Sequence, residues 1–326
     1  MGARLWITWE KQRRNRTLSK ALDANLCEYI YELPRLIKYP IYLMLTTMKI
    51  LLFRPSILFV QNPSIVLAVY SVFFGKLFKL PVVVDAHNSG VFPFGGKYHW
   101  ATSLCNLINK NAAYVIVTNP SLKQHVENNG GNCVILPDPI PEIKMVKNVK
   151  RENDGVFKVL FVCTWSPDEP FHEVIKAARQ LDNTIKIFIT GNSQRAQNNL
   201  QPDLPENIEL TGYLPDDEYE NMLSKVDVVM DLTTFDDCLV CGAYESVAAE
   251  KPIILSNNTA SRAYFNMGVV HVANSEEDIV RGIIEARSSI HNLNEQITEF
   301  KKRATKEWHL LLKSANDRFI ELEKKK

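Results

Sequence analysis

Short runs of β-branched and aliphatic residues alternate with longer stretches whose apolar residues recur every three or four positions. The first kind predicts strands and the second amphipathic helices. In the first half, strands are expected at Leu5–Thr8, Ile57–Gln61, Val82–Asp85, Ala113–Thr118 and Cys133–Leu136. Helical segments lie between them, around Thr17–Leu22, Arg35–Leu52, Ile65–Phe78, Lys97–Asn111 and Pro120–Asn128. The strands are apolar at successive positions, as suits parallel strands covered by helices on both faces. Pro137, Pro139 and Pro141 then follow closely, and with the mostly polar residues 147–155 they predict a linker.

The second half restarts the pattern. Strands are expected at Val156–Cys163, Ile185–Gly191, Ile208–Thr211, Val226–Leu232, Pro252–Ser256 and Val269–Val272. Helices are expected at Phe171–Gln180, Asp216–Lys225 and Ala243–Glu250, with two long ones from about Glu276 onwards. The fold class that follows is α/β, two doubly wound Rossmann-like domains spanning 1–145 and 156–307. Their ligands would bind in a cleft at the carboxyl ends of the strands. A chain of 326 residues is long enough for two domains.

Composition narrows the picture a little. With 46% hydrophobic and 23% charged residues the chain is globular, and a formal net charge of +1 argues against a nucleic-acid binder. Bases nevertheless crowd the first forty residues, from Arg4 through Arg13, Arg14 and Arg16 to Lys38. That bias suits either a solvated helix face or a surface that meets phosphate or lipid. The six cysteines include one C-x-x-C, Cys238 and Cys241, without a second pair to complete a zinc site, so reduced cytoplasmic thiols are expected. No signal peptide is read at the start, and Trp6 stands where a myristoylation motif needs Ser or Thr. Residues 55–75 carry no charge, but Gln61, Asn62 and Pro63 break them into a strand, a turn and a helix rather than a membrane span. Tyr39–Phe53, behind Arg35 and Lys38, fits an interfacial helix or a buried core helix equally well.

The stretch from Val226 to Ser256 carries most of the chemistry. A strand ends near Leu232, and a loop through Asp237 leads by Gly242 into a helix bearing Glu245. Backbone N–H groups at a helix start suit a diphosphate, and flanking carboxylates can accept hydrogen bonds from sugar and ribose hydroxyls. The alternative is that Asp237 caps the helix and Glu245 is merely solvated.

This stretch resembles the Glu-x7-Glu signature of retaining GT-B glycosyltransferases of family 4. Asp237 stands at the first acidic position and Glu245 at the second, with Ala248 and Pro252 in their expected places. Leu210-Thr-Gly-Tyr-Leu-Pro-Asp-Asp-Glu218 and Asp227 are similar to segments of the same family. The resemblance implies that Glu245 binds the donor ribose and Asp237 the sugar, with the amides of Cys241 and Gly242 facing the diphosphate. Ser166, Gly191 and Asn192 are further donor-binding candidates. One departure stands out: where the family places an Arg and a Lys, this chain reads Cys163-Thr-Trp-Ser-Pro-Asp-Glu-Pro-Phe171. That segment, with Val60-Gln-Asn-Pro63 and Asp85-Ala-His-Asn88, is similar to the eukaryotic β-mannosyltransferase that extends dolichol-linked chitobiose. Arg13, Arg14, Arg16 and Asn88 are then candidates for phosphate or acceptor contacts, and His87 for the reaction centre. The other histidines show no metal-like spacing and no Asp-x-Asp follows a strand, so no metal site and no cofactor beyond the sugar nucleotide are expected.

These readings imply a metal-independent hexosyltransferase of surface polysaccharide assembly. It would lie at the cytoplasmic face of the plasma membrane, with a glycan or lipid-pyrophosphate-linked acceptor on the N-terminal domain. The segment 308–326 would pack back on that domain. A non-catalytic scaffold of a partner transferase, favoured by the missing Arg and Lys, and a nucleotide-sugar epimerase are the alternatives.

Overall fold

The structure, a computed structural model, describes residues 3–32, 34–143, 155–196 and 204–324. Most of the expected linker, 147–155, lies outside these. The chain divides into two compact units, one of residues 1–138 and 307–326, the other of 139–306.

The first unit opens with β1 (Arg4–Thr8), α1 (Arg13–Ala21), β2 (Ala24–Glu28), α2 (Arg35–Phe53), β3 (Leu58–Asn62) and α3 (Ile65–Leu77). It continues through β4 (Val82–Ala86), the single turn α4 (Asn88–Val91), α5 (His99–Asn111), β5 (Tyr114–Val117), α6 (Pro120–Asn128) and β6 (Cys133–Ile135). All six strands run parallel in the order β2-β1-β3-β4-β5-β6. β1, β3 and β4 are buried at every position, because helices cover both faces. Leu5, Ile7, Leu58, Val60, Val82 and Val84 point towards the layer of α2, α3, α5 and α6. Trp6 and Phe59 point the other way, stacked at 5.4 Å, towards α1 and the chain's last helix.

Three elements of this unit differ from expectation, among them the single turn α4, which was not foreseen. β2 was not foreseen, because as an edge strand with Asn25 and Glu28 it buries too little to show an apolar run. α1 starts at Arg13 rather than Thr17. Arginines in a first helical turn oppose the helix dipole, and here ion pairs of Arg14 and Arg16 offset that cost.

The second unit holds β7 (Phe157–Phe161), α7 (Phe171–Ala178), β8 (Ile185–Thr190), β9 (Ile208–Gly212), α8 (Asp216–Lys225) and β10 (Val228–Asp231). After these come α9 (Cys241–Ala248), β11 (Ile253–Ser256), α10 (Thr259–Tyr264), β12 (Val269–Val272) and α11 (Glu276–Ser288). Its sheet is also parallel, in the order β12-β11-β10-β7-β8-β9. The last helix, α12 (Ile290–Lys324), belongs to the second unit through Lys306 and to the first unit beyond it. In the first unit Phe319 packs edge-on against Phe59, and the Trp308 indole donates to the Pro137 carbonyl at 3.0 Å. The Arg4 guanidinium pairs with Glu323 at 3.0 Å.

Candidate functional site

In a doubly wound sheet the strand order reverses at one place, and the loops there splay apart to leave room for a ligand. In the second unit the chain leaves β7 for β8 on one side and returns as β10 on the other. The loops after β7 and β10 therefore form its candidate site.

β10 ends in Asp231, whose buried carboxylate accepts the Gly242 N–H at 2.8 Å. Burial pushes this carboxyl well above the usual range. The Gly242 N–H works against the rise, while Glu169, Glu245 and Asp168 add to it. Asp231 thus keeps its proton to higher pH than an ordinary carboxyl, and it seats the start of α9. Only glycine permits that seat, since a Cβ at position 242 would lie 2.6 Å from the Asp231 Oδ2 and 3.0 Å from Val162. The Gly242 amide accordingly points inwards to Asp231, not outwards to a diphosphate. Cys241 is exposed as the first residue of α9, and its N-cap is Val240, so Asp237 does not cap this helix.

Glu245 stands one turn into α9, half-buried rather than solvated. Tyr219 of α8 lies beside it; burial first, and then the Glu245 charge, push the phenol up. Asp237 is half-buried in the loop between β10 and α9.

The loop after β7 is organised around its own acids. The Glu169 carboxylate accepts the backbone N–H of Thr164 and of Ser166, each at 2.9 Å, and the Thr164 hydroxyl at 3.0 Å. Trp165 adopts a left-handed backbone with φ 64°, held by its indole donating to the Thr190 carbonyl at 2.9 Å. Asp168 accepts from the Thr233 hydroxyl at 3.1 Å and from the Ser166 hydroxyl. Both donors of Ser166, a donor-binding candidate, are therefore used inside the loop. Gly191 has φ 85°, and a Cβ there would lie 2.2 Å from the Cys163 carbonyl, so it brings β8 against this loop. Asn192 beside it is exposed, and its side-chain oxygen accepts the Gln194 N–H. Beyond β10 the Thr233 N–H donates to Ser256, which donates to Asn274, whose amide donates back to the Thr233 carbonyl. A small recess lies there, lined by Asp231, Thr233, Leu239, Val240, Ser256 and Phe265.

Asp231 and Tyr219 were not singled out from the sequence. A strand ending Val-Val-Met-Asp offers a signal for the first; nothing local marks the second.

In the first unit the reversal falls between β1 and β3. The Gln61 side-chain Oε1 accepts from the Thr8 hydroxyl and from the Asn15 side-chain amide, each at 2.7 Å. Arg14 is buried and donates to both oxygens of Asp85, to Asp138 at 3.0 Å and to the Leu136 carbonyl at 2.9 Å. Burial opposes its charge, but Asp85 and Asp138 outweigh burial and raise its pKa. Every nitrogen of Arg14 is engaged within the unit, which removes it as a phosphate contact. Arg16 is likewise engaged, bidentate on Glu28 with a closest approach of 2.8 Å. Arg13 is exposed at the first residue of α1. His87 precedes α4 with its Nδ1 buried and without a hydrogen-bond partner; burial lowers its pKa, and Asp85 partly offsets this. Asn88 begins α4 half-buried. Among the described residues no group of three or more His, Cys, Asp or Glu side chains is placed to share a metal ion.

Two six-stranded parallel sheets wound in this way define the GT-B class of fold. The chain superposes on the sucrose-phosphate synthase of Thermosynechococcus elongatus with a TM-score of 0.81 at 13% identity, covering 100% of both chains. It superposes on HepE of Anabaena, in complex with UDP and glucose, with a TM-score of 0.69 at 11% identity, covering 95% of this chain and 91% of that one. For MnaA of S. aureus with UDP the values are 0.59 and 13%, covering 90% and 91%. No curated protein sequence matches it. Residues 142–307, half of the chain, match the family described as glycosyl transferases group 1, and the chain belongs to that family. It is a glycosyltransferase.

Proposed function

We propose that the second unit holds a nucleotide-sugar donor at the β7/β10 reversal and that a hexosyl group passes from it to a glycan or lipid-pyrophosphate-linked acceptor. The observation that carries this reading is the seating of α9: Gly242 fixed on the buried Asp231, with Glu245 half-buried one turn further. In that place Glu245 would accept from ribose hydroxyls and Asp237 from the sugar, as in the family 4 enzymes that this stretch resembles. The positive end of α9 would face the departing diphosphate without a metal ion. UDP is the first nucleotide to test, because HepE and MnaA were both solved with it. His87, neutral near pH 7, is proposed at the reaction centre, with the acceptor on the first unit. A lipid-linked acceptor would suit surface polysaccharide assembly, at the cytoplasmic face of the plasma membrane.

A second reading has its own support. The Thr164 and Ser166 amides are occupied by the chain's own Glu169, and no base stands in that loop. Such a site would suit a non-catalytic scaffold of a partner transferase. Incubation with labelled UDP-sugars and a pyrophosphate-linked lipid glycan separates the readings. Transfer of label to the lipid, lost in Asp237→Ala and Glu245→Ala, is the expected result. A free or altered sugar without transfer would replace it with an epimerase, and no turnover with any donor would favour the scaffold.

A further inference from the structure

One face of the first sheet is covered by α2, α3 and α5, and the outer side of this layer is apolar. The inner side of α2 is core, with Tyr42 and Thr46 fully buried. On its outer side Leu36 is 92% exposed and Leu52 80%, and Met44 and Met48 lie exposed between them. Only 17% of the apolar window Leu36–Phe53 is buried. On α3 the exposed stripe is Val66, Phe73 and Leu77, the last 76% exposed. Trp100 and Leu107 continue it on α5. The stripes adjoin: the Thr47 and Tyr70 hydroxyls share a hydrogen bond between α2 and α3, and Lys76 donates to Asn111 between α3 and α5. A contiguous exposed apolar surface of this kind marks an interaction site.

Its charge is one-sided. Between Glu32 and Glu127 the sequence holds a single acid, Asp85, and that one is buried against Arg14. Over the same stretch Lys38, Lys49, Arg54, Lys76 and Lys79 flank the apolar stripes. The Lys38 and Lys49 ammonium groups each lie 5.3 Å from an aromatic ring of α2, those of Tyr42 and Phe53, with their stems along the helix.

We infer that this outer helix layer is a docking surface for an anionic lipid bilayer. Exposed leucine, methionine and aromatic side chains would enter the boundary between headgroups and acyl chains, and the lysines would meet lipid phosphates. A second copy fits less well, since a two-fold interface would set this acid-free surface against itself and oppose like charges. α2 does not cross the membrane, because Tyr42 and Thr46 hold it to the sheet. The inference rests on the first unit alone and stands or falls separately from donor binding by the second.

The test is sedimentation of the full chain with vesicles of phosphatidylcholine alone and of an equimolar mixture with phosphatidylglycerol. Binding to the mixed vesicles at least tenfold tighter than to the neutral ones, and weakened by salt, is expected. Each lysine at the surface contributes about fivefold, so Lys49→Gln with Lys76→Gln and Lys79→Gln should weaken binding about a hundredfold. Leu52→Ser with Leu77→Ser should weaken it at least tenfold, with thermal melting unchanged because both positions are exposed. Three outcomes would overturn the inference. They are equal or no binding to the two vesicles, attachment that resists alkaline carbonate, and a dimer that Leu52→Ser with Leu77→Ser turns into monomer. UDP-sugar titration of the same variants reads the donor site independently.

Discussion

The two sheets reverse their strand order in the same way, yet the carboxyl ends of their strands are used differently. At the β1/β3 reversal the polar side chains bond to one another. Arg14 is spent on Asp85 and Asp138, and Thr8 and Asn15 on Gln61. At the β7/β10 reversal the acids are held by backbone N–H groups and hydroxyls: Asp231 by Gly242, Glu169 by Thr164 and Ser166, and Asp168 by Thr233. Side-chain charge is cancelled inside the first unit. In the second it is met by backbone N–H dipoles and hydroxyls, and the Asp231 carboxyl holds its proton more tightly than an ordinary one. Shared topology therefore marks where a ligand would bind, and the handling of buried charge distinguishes the two places.

The contrast can be broken most forcefully in the first unit. Arg14→Met strands the buried Asp85 carboxylate and should cost about 3–5 kcal/mol of stability in denaturant unfolding, with nucleotide-sugar affinity of the remaining folded protein unchanged. In the second unit Gly242→Ala forces a methyl group against Asp231 and Val162. It should cost about 1–3 kcal/mol and, unlike the first change, weaken nucleotide binding as α9 shifts. Glu169→Ala empties the carboxylate from the loop after β7. Losing a hydrogen-bonded partner of two amides should cost roughly 1–3 kcal/mol in thermal or denaturant unfolding. The smallest effect is expected from Asp231→Asn, which keeps an acceptor for the Gly242 N–H. The folded pKa of Asp231 is raised above its unfolded value. Its contribution to stability is therefore full below the unfolded value and lost as pH rises through the folded one. Melting temperatures across a pH series should fall with rising pH less steeply in Asp231→Asn than in wild type.

Much of this was legible in the sequence because it rests on short-range patterns. α8 spans Asp216–Lys225 and β12 spans Val269–Val272, where the apolar runs and their boundaries put them. The loop proposed to hold the donor carries Asp237, Gly242 and Glu245, all singled out in the sequence. What escaped depends on contacts distant along the chain. β2 hides because one side of an edge strand faces no partner. The fate of Arg14 is decided by Asp85 and Asp138, which lie 71 and 124 residues away. Asp168 and Glu169 were not singled out in the sequence, and only the backbone course around Trp165 shows Glu169 bound by that loop's own amides. The apolar stripe of α2 was legible, whereas its continuation onto α3 and α5 needed the packing of three helices.

The account depends most on Glu245 in its half-buried place on α9. Calorimetric titration of UDP-, GDP- and dTDP-sugars into wild type and Glu245→Ala tests it directly. Selective binding of one nucleotide, weakened in the variant by about 1–3 kcal/mol, is the predicted result. Binding to wild type that Glu245→Ala leaves untouched, or no binding of any of the three, would contradict it.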